Sequence, residues 1–329
     1  MEMGPFVRVD PTTILTVDQA QSALVSRDEG KTWEKHAVFA EPDKCAIRPE
    51  RALLRTSAGT IILAFMNERA KANWNWRTEI SDSPGAQLPT CAVRSLDGGK
   101  TWQDLQELHK EWTGAIRNMV QTKSGRVVFT SMMLLHNPGR HSVVTYSSED
   151  DGKTWKRSNI LDLGGIGHHG GVTEATVEPL CDGRVWMLLR TNWKVFWEAF
   201  SDTDGVYWRT IRPSSIDASS APGQLARLAS GRLVLVWNRY FPEGKNEFPL
   251  SGGDNQWSEV PVSNHRLELS IMFSSDDGQT WTKPAVVARA EKGWIAYPYL
   301  FESRPGELWI TTMQGGLRVK LREKDFVGE

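Results

Sequence analysis

One octapeptide recurs along the chain and limits the folds that the chain can adopt. Four copies are nearly identical and a fifth is degenerate: SRDEGKTW (26–33), SLDGGKTW (95–102), SEDDGKTW (148–155), SSDDGQTW (274–281) and SDTDGVYW (201–208). Each copy follows a strand-like run and precedes a polar strand-like stretch. In such a turn, the Asp and Ser side chains form hydrogen bonds with the backbone, and the Gly adopts a positive φ. The Trp contributes buried apolar area. The repeat therefore predicts a series of similar β-hairpins.

A second set of hairpins lies between the octapeptides, each turning at one glycine. Their sequences are RALLRTSAGTIILAF, NMVQTKSGRVVFTSM, ATVEPLCDGRVWMLL, GQLARLASGRLVLVW and YLFESRPGELWITTM. With an irregular N-terminal unit at residues 6–30, they predict six sheets in an all-β, six-bladed β-propeller. We expect one domain over residues 1–329. Five blades remain possible if the N-terminal segment completes the C-terminal blade.

Charge and apolar content exclude several classes of protein. The chain has 39 Lys and Arg against 40 Asp and Glu, so its net charge of -1 gives no general attraction to nucleic acid or anionic membranes. It has neither an apolar run of membrane-spanning length nor an N-terminal secretory signal pattern. We expect a soluble protein without membrane insertion, either cytoplasmic or a processed secreted form. Cys45, Cys91 and Cys181 are predicted to be buried thiols, not a disulfide framework.

Three ionisable or phenolic residues occupy equivalent places in different hairpins. Glu50, Glu174 and Tyr297 each lie nine residues before the turn glycine of their hairpin, where Ile116 and Pro222 stand in the other two. The first strand of each blade lines the propeller axis, so these positions are expected to converge at one end of it. Charged groups in a crowded axis are costly unless they are partnered, which favours a functional site.

The octapeptides match the Asp-box of the sialidase superfamily, a motif that also occurs in propellers that are not sialidases. The resemblance covers nearly the whole chain, and it implies the propeller fold and a structural role for the Asp and Trp residues of the boxes.

The resemblance extends to residues with catalytic roles in sialidases. That family shares three arginines that clamp the substrate carboxylate, a Tyr nucleophile paired with a Glu, and an Asp acid/base. TEATVEPLCDGRVWMLLRT resembles the strand pair that carries the glutamate and the second arginine, which implies Glu174 and Arg190. HRLELSIMFSSDDGQTW resembles the segment of the third arginine, which implies Arg266. AYPYL resembles the nucleophile segment, which implies Tyr297.

The acid/base and the first arginine match the family less well. DSPG resembles an acid/base loop and implies Asp82, with Glu79 as a competitor. Sialidases carry Arg-Ile-Pro before an Ala-Leu-Leu strand, whereas this chain carries RPERALL. Because side chains alternate between the two faces of a strand, Arg48 lies on the same face as Glu50. We therefore expect Arg48 to be the first arginine of the carboxylate clamp, with Arg51 as the alternative.

The resemblance implies an exo-acting, retaining glycoside hydrolase that releases terminal sialic acid or a related 2-keto sugar acid. Guanidinium groups hold a carboxylate bidentately, and a neutral phenol attacks beside that carboxylate without like-charge repulsion. The expected partner is a sialoglycan or another acidic glycan, and neither metal nor cofactor is implied. Glu50, Arg51, and His168 and His169 of the GIGHHGG loop are possible substrate contacts.

Two other functions remain open. The altered first-arginine motif favours a hydrolase or lyase of another acidic glycan in the same arginine-lined pocket. A non-catalytic glycan-binding propeller is the third possibility, and it predicts Arg, Glu and Tyr residues that are scattered. Trp74, Trp76, Trp193 and Trp197 lie outside the boxes, where tryptophan either stacks on sugars or packs at the rim.

Overall fold

The computed structural model describes residues 1–328 and places them in six antiparallel blades arranged as a β-propeller. The prediction of six blades is confirmed, and the alternative of five is wrong because the N-terminal segment forms a four-stranded blade of its own. Glu329, the last residue of the predicted domain, lies outside the described residues.

Each of the first three blades is a four-stranded sheet whose strands pair in chain order. Blade 1 contains β1 (Val7–Asp10), β2 (Thr13–Val17), β3 (Ser22–Ser26) and β4 (Glu34–Ala37). Blade 2 contains β5 (Ile47–Arg55), β6 (Ile61–Asn67), β7 (Thr90–Ser95) and β8 (Gln103–His109). Blade 3 contains β9 (Met119–Gln121), β10 (Val127–Leu135), β11 (Arg140–Ser148) and β12 (Lys156–Arg157).

Blade 4 repeats this pattern, whereas blades 5 and 6 depart from it. Blade 4 contains β13 (Thr173–Pro179), β14 (Val185–Arg190), β15 (Val195–Ser201) and β16 (Arg209–Asp217). Blade 5 contains β17 (Gln224–Arg227), β18 (Leu233–Trp237), β21 (Glu268–Ser274) and β22 (Ala285–Arg289), with an inserted hairpin of β19 (Leu250–Gly252) and β20 (Pro261–Ser263). Blade 6 has three strands, β23 (Ala296–Arg304), β24 (Glu307–Gln314) and β25 (Arg318–Arg322).

Burial explains the sequences of the strands. The second strands, such as IILAFMN in β6 and LVLVW in β18, are buried along their length and rich in β-branched residues. The outer strand β8, QDLQELH, has no buried residue and is correspondingly polar. The core therefore lies between neighbouring blades.

Each Asp-box turn packs against the blade that precedes it. In the box of blade 2, Asp97 Oδ1 accepts hydrogen bonds from Lys100 N at 3.1 Å and from Thr101 N at 2.9 Å, and Gly99 has φ 90°. A Cβ added at Gly99 would collide with Leu15 of blade 1. Gly30, Gly152, Gly205 and Gly278 face side chains of the preceding blade in the same way. The repeat thus stabilises the contact between blades as well as the turn.

Blade 1 and blade 6 close the ring through noncovalent contacts. Gly4 N donates a 2.9 Å hydrogen bond to Thr311 Oγ1, and Arg8 Nη2 donates one of 2.6 Å to Ser303 O. The interface between these blades is filled by tilted and edge-on aromatic rings of Phe6, Phe301 and Trp309.

In the part of the chain that the structure describes, helix is confined to two short segments, a 3-10 turn at Glu68–Ala70 and α1 at Lys324–Val327. Within residues 1–328, no helix has the length and apolar character needed to cross a membrane. Cys45 and Cys91 are buried free thiols, as predicted. The same prediction is wrong for Cys181, which is exposed because it lies at the turn between β13 and β14.

Candidate active site

The backbone is strained at the two residues that the sequence pairs as nucleophile and base. Tyr297, in β23, has φ 61°, and Glu174, in β13, has φ 30°. Bulky residues rarely adopt positive φ, and such strain concentrates at functional sites. The pairing of β13 with β14 shifts register between Thr173 and Thr176, so Glu174 lies within an irregularity that redirects its side chain.

Tyr297, Glu174 and Arg190 form one buried hydrogen-bonded group. Tyr297 Oη donates a 2.7 Å hydrogen bond to Glu174 Oε1 and accepts one of 3.2 Å from Arg190 Nη1. The same Nη1 is paired with Glu174 Oε2. Ser220 Oγ accepts a 2.9 Å hydrogen bond from Arg190 Nη2, which fixes the other edge of the guanidinium. The phenol oxygen therefore has a base on one side and a cation on the other.

Burial and charge set the protonation states of this group. Burial, reinforced by the charge of Glu174, raises the pKa of Tyr297 to about 12, so the phenol is neutral at ordinary pH. Burial would raise the pKa of Glu174, but the charge and hydrogen bond of Arg190 and the hydrogen bond of Tyr297 hold it below its usual value. The group is thus a phenol beside an ionised carboxylate, which is the arrangement needed for proton transfer during attack.

A cavity of about 400 Å³ lies over the phenol. The three residues that the hairpin offset selected, Glu50, Glu174 and Tyr297, all line it. Arg48 and Arg190 line it as well. Arg48 is ion-paired with Glu68 at 2.7 Å and with Glu50 at 3.5 Å, so its charge is partly neutralised.

A second cavity of about 530 Å³ adjoins the first and shares Tyr297 and His169 with it. Arg266 lines the second cavity, with its guanidinium carbon 4.7 Å from the Trp294 ring centroid and 5.5 Å from that of Tyr297. Trp257 lines this cavity too. The predicted clamp arginines thus lie in two adjoining cavities that meet at the phenol.

Two histidines of the GIGHHGG loop line the first cavity, and one of them, His169, lines the second cavity as well. His168 and His169 lie with their Nδ1 atoms 2.7 Å apart, so that one donates to the other. Burial, together with the charge of Arg190, lowers the pKa of His169 to about 2. His141, which the sequence did not single out, lines the first cavity, and burial lowers its pKa to about 4. These imidazoles are therefore neutral hydrogen-bonding groups.

Asp82 and Arg51 lie away from both cavities. The Asp82 side chain is 4% exposed and accepts hydrogen bonds from His136 Nδ1 at 2.8 Å and Asn137 N at 3.3 Å. Arg51 is 1% exposed and donates to the carbonyl oxygens of Gly4 and Val17 in blade 1. Its guanidinium is committed to the contact between blades, and Arg51 lines neither cavity.

The remaining candidates differ in their distance from the site. Glu79 is exposed. Trp74 stacks on Trp112 with ring centroids 4.1 Å apart, and both line the first cavity. Trp76 contacts the His168 ring edge-on. Trp193 and Trp197 pack on each other. Trp112 and Trp294 were missed because their positions follow no repeat.

Arg117 is a further residue that the sequence did not indicate. It lies one residue after Ile116, which occupies the offset that was searched, and it is 1% exposed beneath the Tyr297 ring. Among residues 1–328, no group of three or more His, Cys, Asp or Glu side chains is placed to hold a metal ion.

The chain belongs to the BNR repeat-like domain family, whose model matches residues 25–310. With the propeller, this match confirms the resemblance to the sialidase and BNR-repeat superfamily. No curated protein sequence matches the chain.

Several solved structures share the fold at low sequence identity. A protein of unknown function from Dyadobacter fermentans DSM 18053 is 16% identical with a TM-score of 0.65, and the match covers 96% of this chain and 91% of that one. The Hadza microbial sialidase Hz136 is 16% identical with a TM-score of 0.66, covering 98% of this chain but 65% of the sialidase. The intramolecular trans-sialidase of Ruminococcus gnavus is 11% identical with a TM-score of 0.63, covering 100% and 95%.

Proposed function

We propose that the protein is an exo-acting, retaining glycoside hydrolase that releases terminal sialic acid or a related 2-keto sugar acid. The observation that carries the proposal is the buried group of Tyr297, Glu174 and Arg190 at the junction of two cavities. A phenol hydrogen-bonded to a carboxylate is the nucleophile and base that a substrate with an anomeric carboxylate requires.

The first step forms a bond from Tyr297 Oη to the anomeric carbon while the glycosidic bond breaks. The phenol proton passes to Glu174 Oε1 along the 2.7 Å hydrogen bond. Arg190 Nη1, 3.2 Å from the phenol oxygen, stabilises the negative charge that develops on it. Water then attacks the tyrosyl-glycoside, Glu174 returns its proton to Tyr297, and two displacements give retention of configuration.

The departing oxygen needs a proton donor. Glu50 lines the first cavity, and its Oε2 accepts no hydrogen bond among residues 1–328. The same Oε2 lies 3.5 Å from Arg48 Nε, an ion pair that Glu50 loses when its carboxylate takes up the proton it donates. Asp82 is engaged with His136 outside the cavity. We therefore assign proton donation to Glu50 in place of Asp82; the same carboxylate then accepts a proton from the attacking water.

Arg48, Arg190 and Arg266 are proposed to hold the substrate carboxylate and the groups beside it. Arg190 and Arg266 both contact the Tyr297 side chain, one through the hydroxyl and the other over the ring. A substrate carboxylate near the phenol is therefore attracted by the positive charges of both arginines. Guanidinium groups keep their charge at any working pH. His168 and His169, which line the first cavity, are proposed as neutral contacts to substrate hydroxyls.

The experiment is turnover of a fluorogenic aryl sialoside by wild type and by Tyr297→Phe. We expect hydrolysis by wild type and loss of at least about 10²-fold in kcat in the variant. Glu50→Gln is expected to impair alkyl sialosides much more than aryl ones, because a good leaving group needs little protonation. Asp82→Asn is the matched control and is expected to affect both substrate types equally.

A second candidate is a hydrolase or lyase of another acidic glycan. The pairing of Arg48 with Glu50 and Glu68 favours it, because that arginine has less charge to offer a sialic acid carboxylate. Turnover of other acidic glycosides, with none of sialosides, would select this candidate. Glycan binding without turnover of any acidic glycoside would select a binding propeller instead.

A further inference from the structure

Arg117 is a fully buried cation beneath the proposed nucleophile. It lies just before β9 in blade 3, is 1% exposed, and reaches across the axis to β23 of blade 6. Its guanidinium carbon is 5.3 Å from the ring centroid of Tyr297 and 4.8 Å from that of Tyr299. Two aromatic rings of one strand therefore contact this charge.

The polar contacts of Arg117 are few for a buried charge. Nη2 donates a 2.8 Å hydrogen bond to Pro298 O, next to the strained Tyr297 backbone. Nε and Nη1 have no hydrogen-bond partner among residues 1–328. Burying a charge without a paired anion is unfavourable unless other interactions offset it.

Most of the contacts that offset this cost involve Tyr297 or the residue after it, and the other is to the ring of Tyr299. Cation–π attraction to Tyr297 and Tyr299 recovers part of it, and it is strong where water is absent. The guanidinium lies 5.3 Å from the ring whose hydroxyl donates to Glu174, so its positive charge favours the ionised form of that carboxylate. The bond to Pro298 O holds the backbone immediately after Tyr297, where φ is positive.

We propose that Arg117 is a positioning residue for the Tyr297–Glu174 pair, holding the strained backbone after Tyr297 and favouring the negative charge on Glu174. The catalytic part of this inference rests on the proposed function. The contacts between Arg117, Tyr297 and Pro298 do not depend on it. Arg117 is separate from the proposed carboxylate clamp, because it lies behind the phenol ring and lines neither cavity of the site.

Other charged groups also act on Glu174 and do not replace Arg117. Arg190 is bonded to Glu174, Arg266 lies over Tyr297, and His141 is close enough to interact with Glu174. Burial lowers the pKa of His141 to about 4, so it is neutral at ordinary pH. The guanidinium groups do not titrate in this range. Removal of Arg117 therefore changes the field on Glu174 without a compensating titration.

Arg51 provides a matched control. Arg51 and Arg117 both lie eight residues before the turn glycine of their hairpins, and both are 1% exposed. Arg51, however, donates to carbonyl oxygens of blade 1 and shows no contact with Tyr297 or Glu174. A comparison of the two arginines separates the loss of a buried charge from the loss of this particular contact.

The test compares Arg117→Met, Arg117→Lys and Arg51→Met with wild type in two measurements. Infrared difference titration follows protonation of the Glu174 carboxylate, with the band assigned by its loss in Glu174→Gln. The pH profile of kcat/KM follows the same ionisation in turnover. The infrared titration needs no activity, so it tests Arg117 even if the proposed function fails.

We expect the Glu174 midpoint to move to higher pH by about one pH unit in Arg117→Met and to stay at the wild-type value in Arg51→Met. Arg117→Lys keeps the charge but loses the planar stack and the bond geometry, so its midpoint should stay near wild type while kcat falls about tenfold. In Arg117→Met, kcat/KM should fall about a hundredfold, and the acidic limb of its pH profile should move to higher pH.

An unchanged Glu174 midpoint in a folded Arg117→Met protein would overturn the proposal, as would equal displacement in Arg51→Met. If Arg117→Met does not fold, Arg117→Gln replaces it, with the same midpoint expected to rise. A wild-type kcat in Arg117→Lys would overturn the part of the proposal that concerns the backbone after Tyr297.

Discussion

The hydroxyl of Tyr297 donates a 2.7 Å hydrogen bond to Glu174 Oε1, although 123 residues separate the two in the sequence. The bond joins blade 6 to blade 4, and both residues have positive φ. Because each backbone is strained, the pair exists only while the packed ring holds both strands in place. The propeller thus stabilises a reactive arrangement that neither blade could support by itself.

Glu174→Gln should reduce kcat by about 10²- to 10⁴-fold on an aryl sialoside, because the amide cannot accept the phenol proton. Wild type holds the pKa of Glu174 below its usual value, so activity should persist at mildly acidic pH and fall only as the carboxylate protonates. The variant should lack that acidic limb. Initial rates across the acidic range test this, and an unchanged limb in Glu174→Gln would show that another group titrates.

Gly99→Ala should destabilise the protein by about 2–5 kcal/mol, through strain at positive φ and collision of the new Cβ with Leu15. Gly125→Ala is a matched control, because Gly125 has φ 91° but nothing within 4 Å of the added Cβ. It should cost only the backbone strain, about 1–2 kcal/mol. Denaturant unfolding measures both. Equal losses of unfolding free energy in the two variants would contradict a role for the Asp-box turns in the contact between blades.

The repeats predict the blades well because each repeat is a local signal. Asp, Gly and Trp at fixed spacing define a turn without long-range information. The offset from the turn glycine selected Glu50, Glu174 and Tyr297, and all three line one cavity. The inserted hairpin of β19 and β20 in blade 5 follows no repeat, and it was missed for that reason.

The parts of the site that were missed depend on contacts between blades. Arg117 lies one residue from the searched offset, and whether its side chain faces the axis depends on the local backbone at the start of β9. Asp82 resembles an acid/base by its loop sequence, but its hydrogen bond to His136, 54 residues away, holds it outside the cavity. Neither fact is encoded in a local pattern.

Glu178→Gln should stabilise the protein above about pH 5. Burial raises the pKa of Glu178 to about 8, far above that of an unfolded glutamate. Between those values the unfolded state ionises while the folded state keeps its proton, so wild-type stability falls as pH rises through this window. The variant has no such dependence and should gain about 2 kcal/mol over wild type near pH 8. Thermal unfolding at pH 5 and pH 8 checks the sign; a deficit in the variant at the higher pH would contradict it.

The most direct measurement is the site of covalent labelling by a 2,3-difluorinated sialic acid, used as a probe for the nucleophile. Intact mass followed by peptide mapping should show one adduct on the peptide containing Tyr297, formed by wild type and absent in Tyr297→Phe. An adduct on a carboxylate, or identical labelling of the Tyr297→Phe protein, would contradict the account of a tyrosine nucleophile at the centre of this propeller.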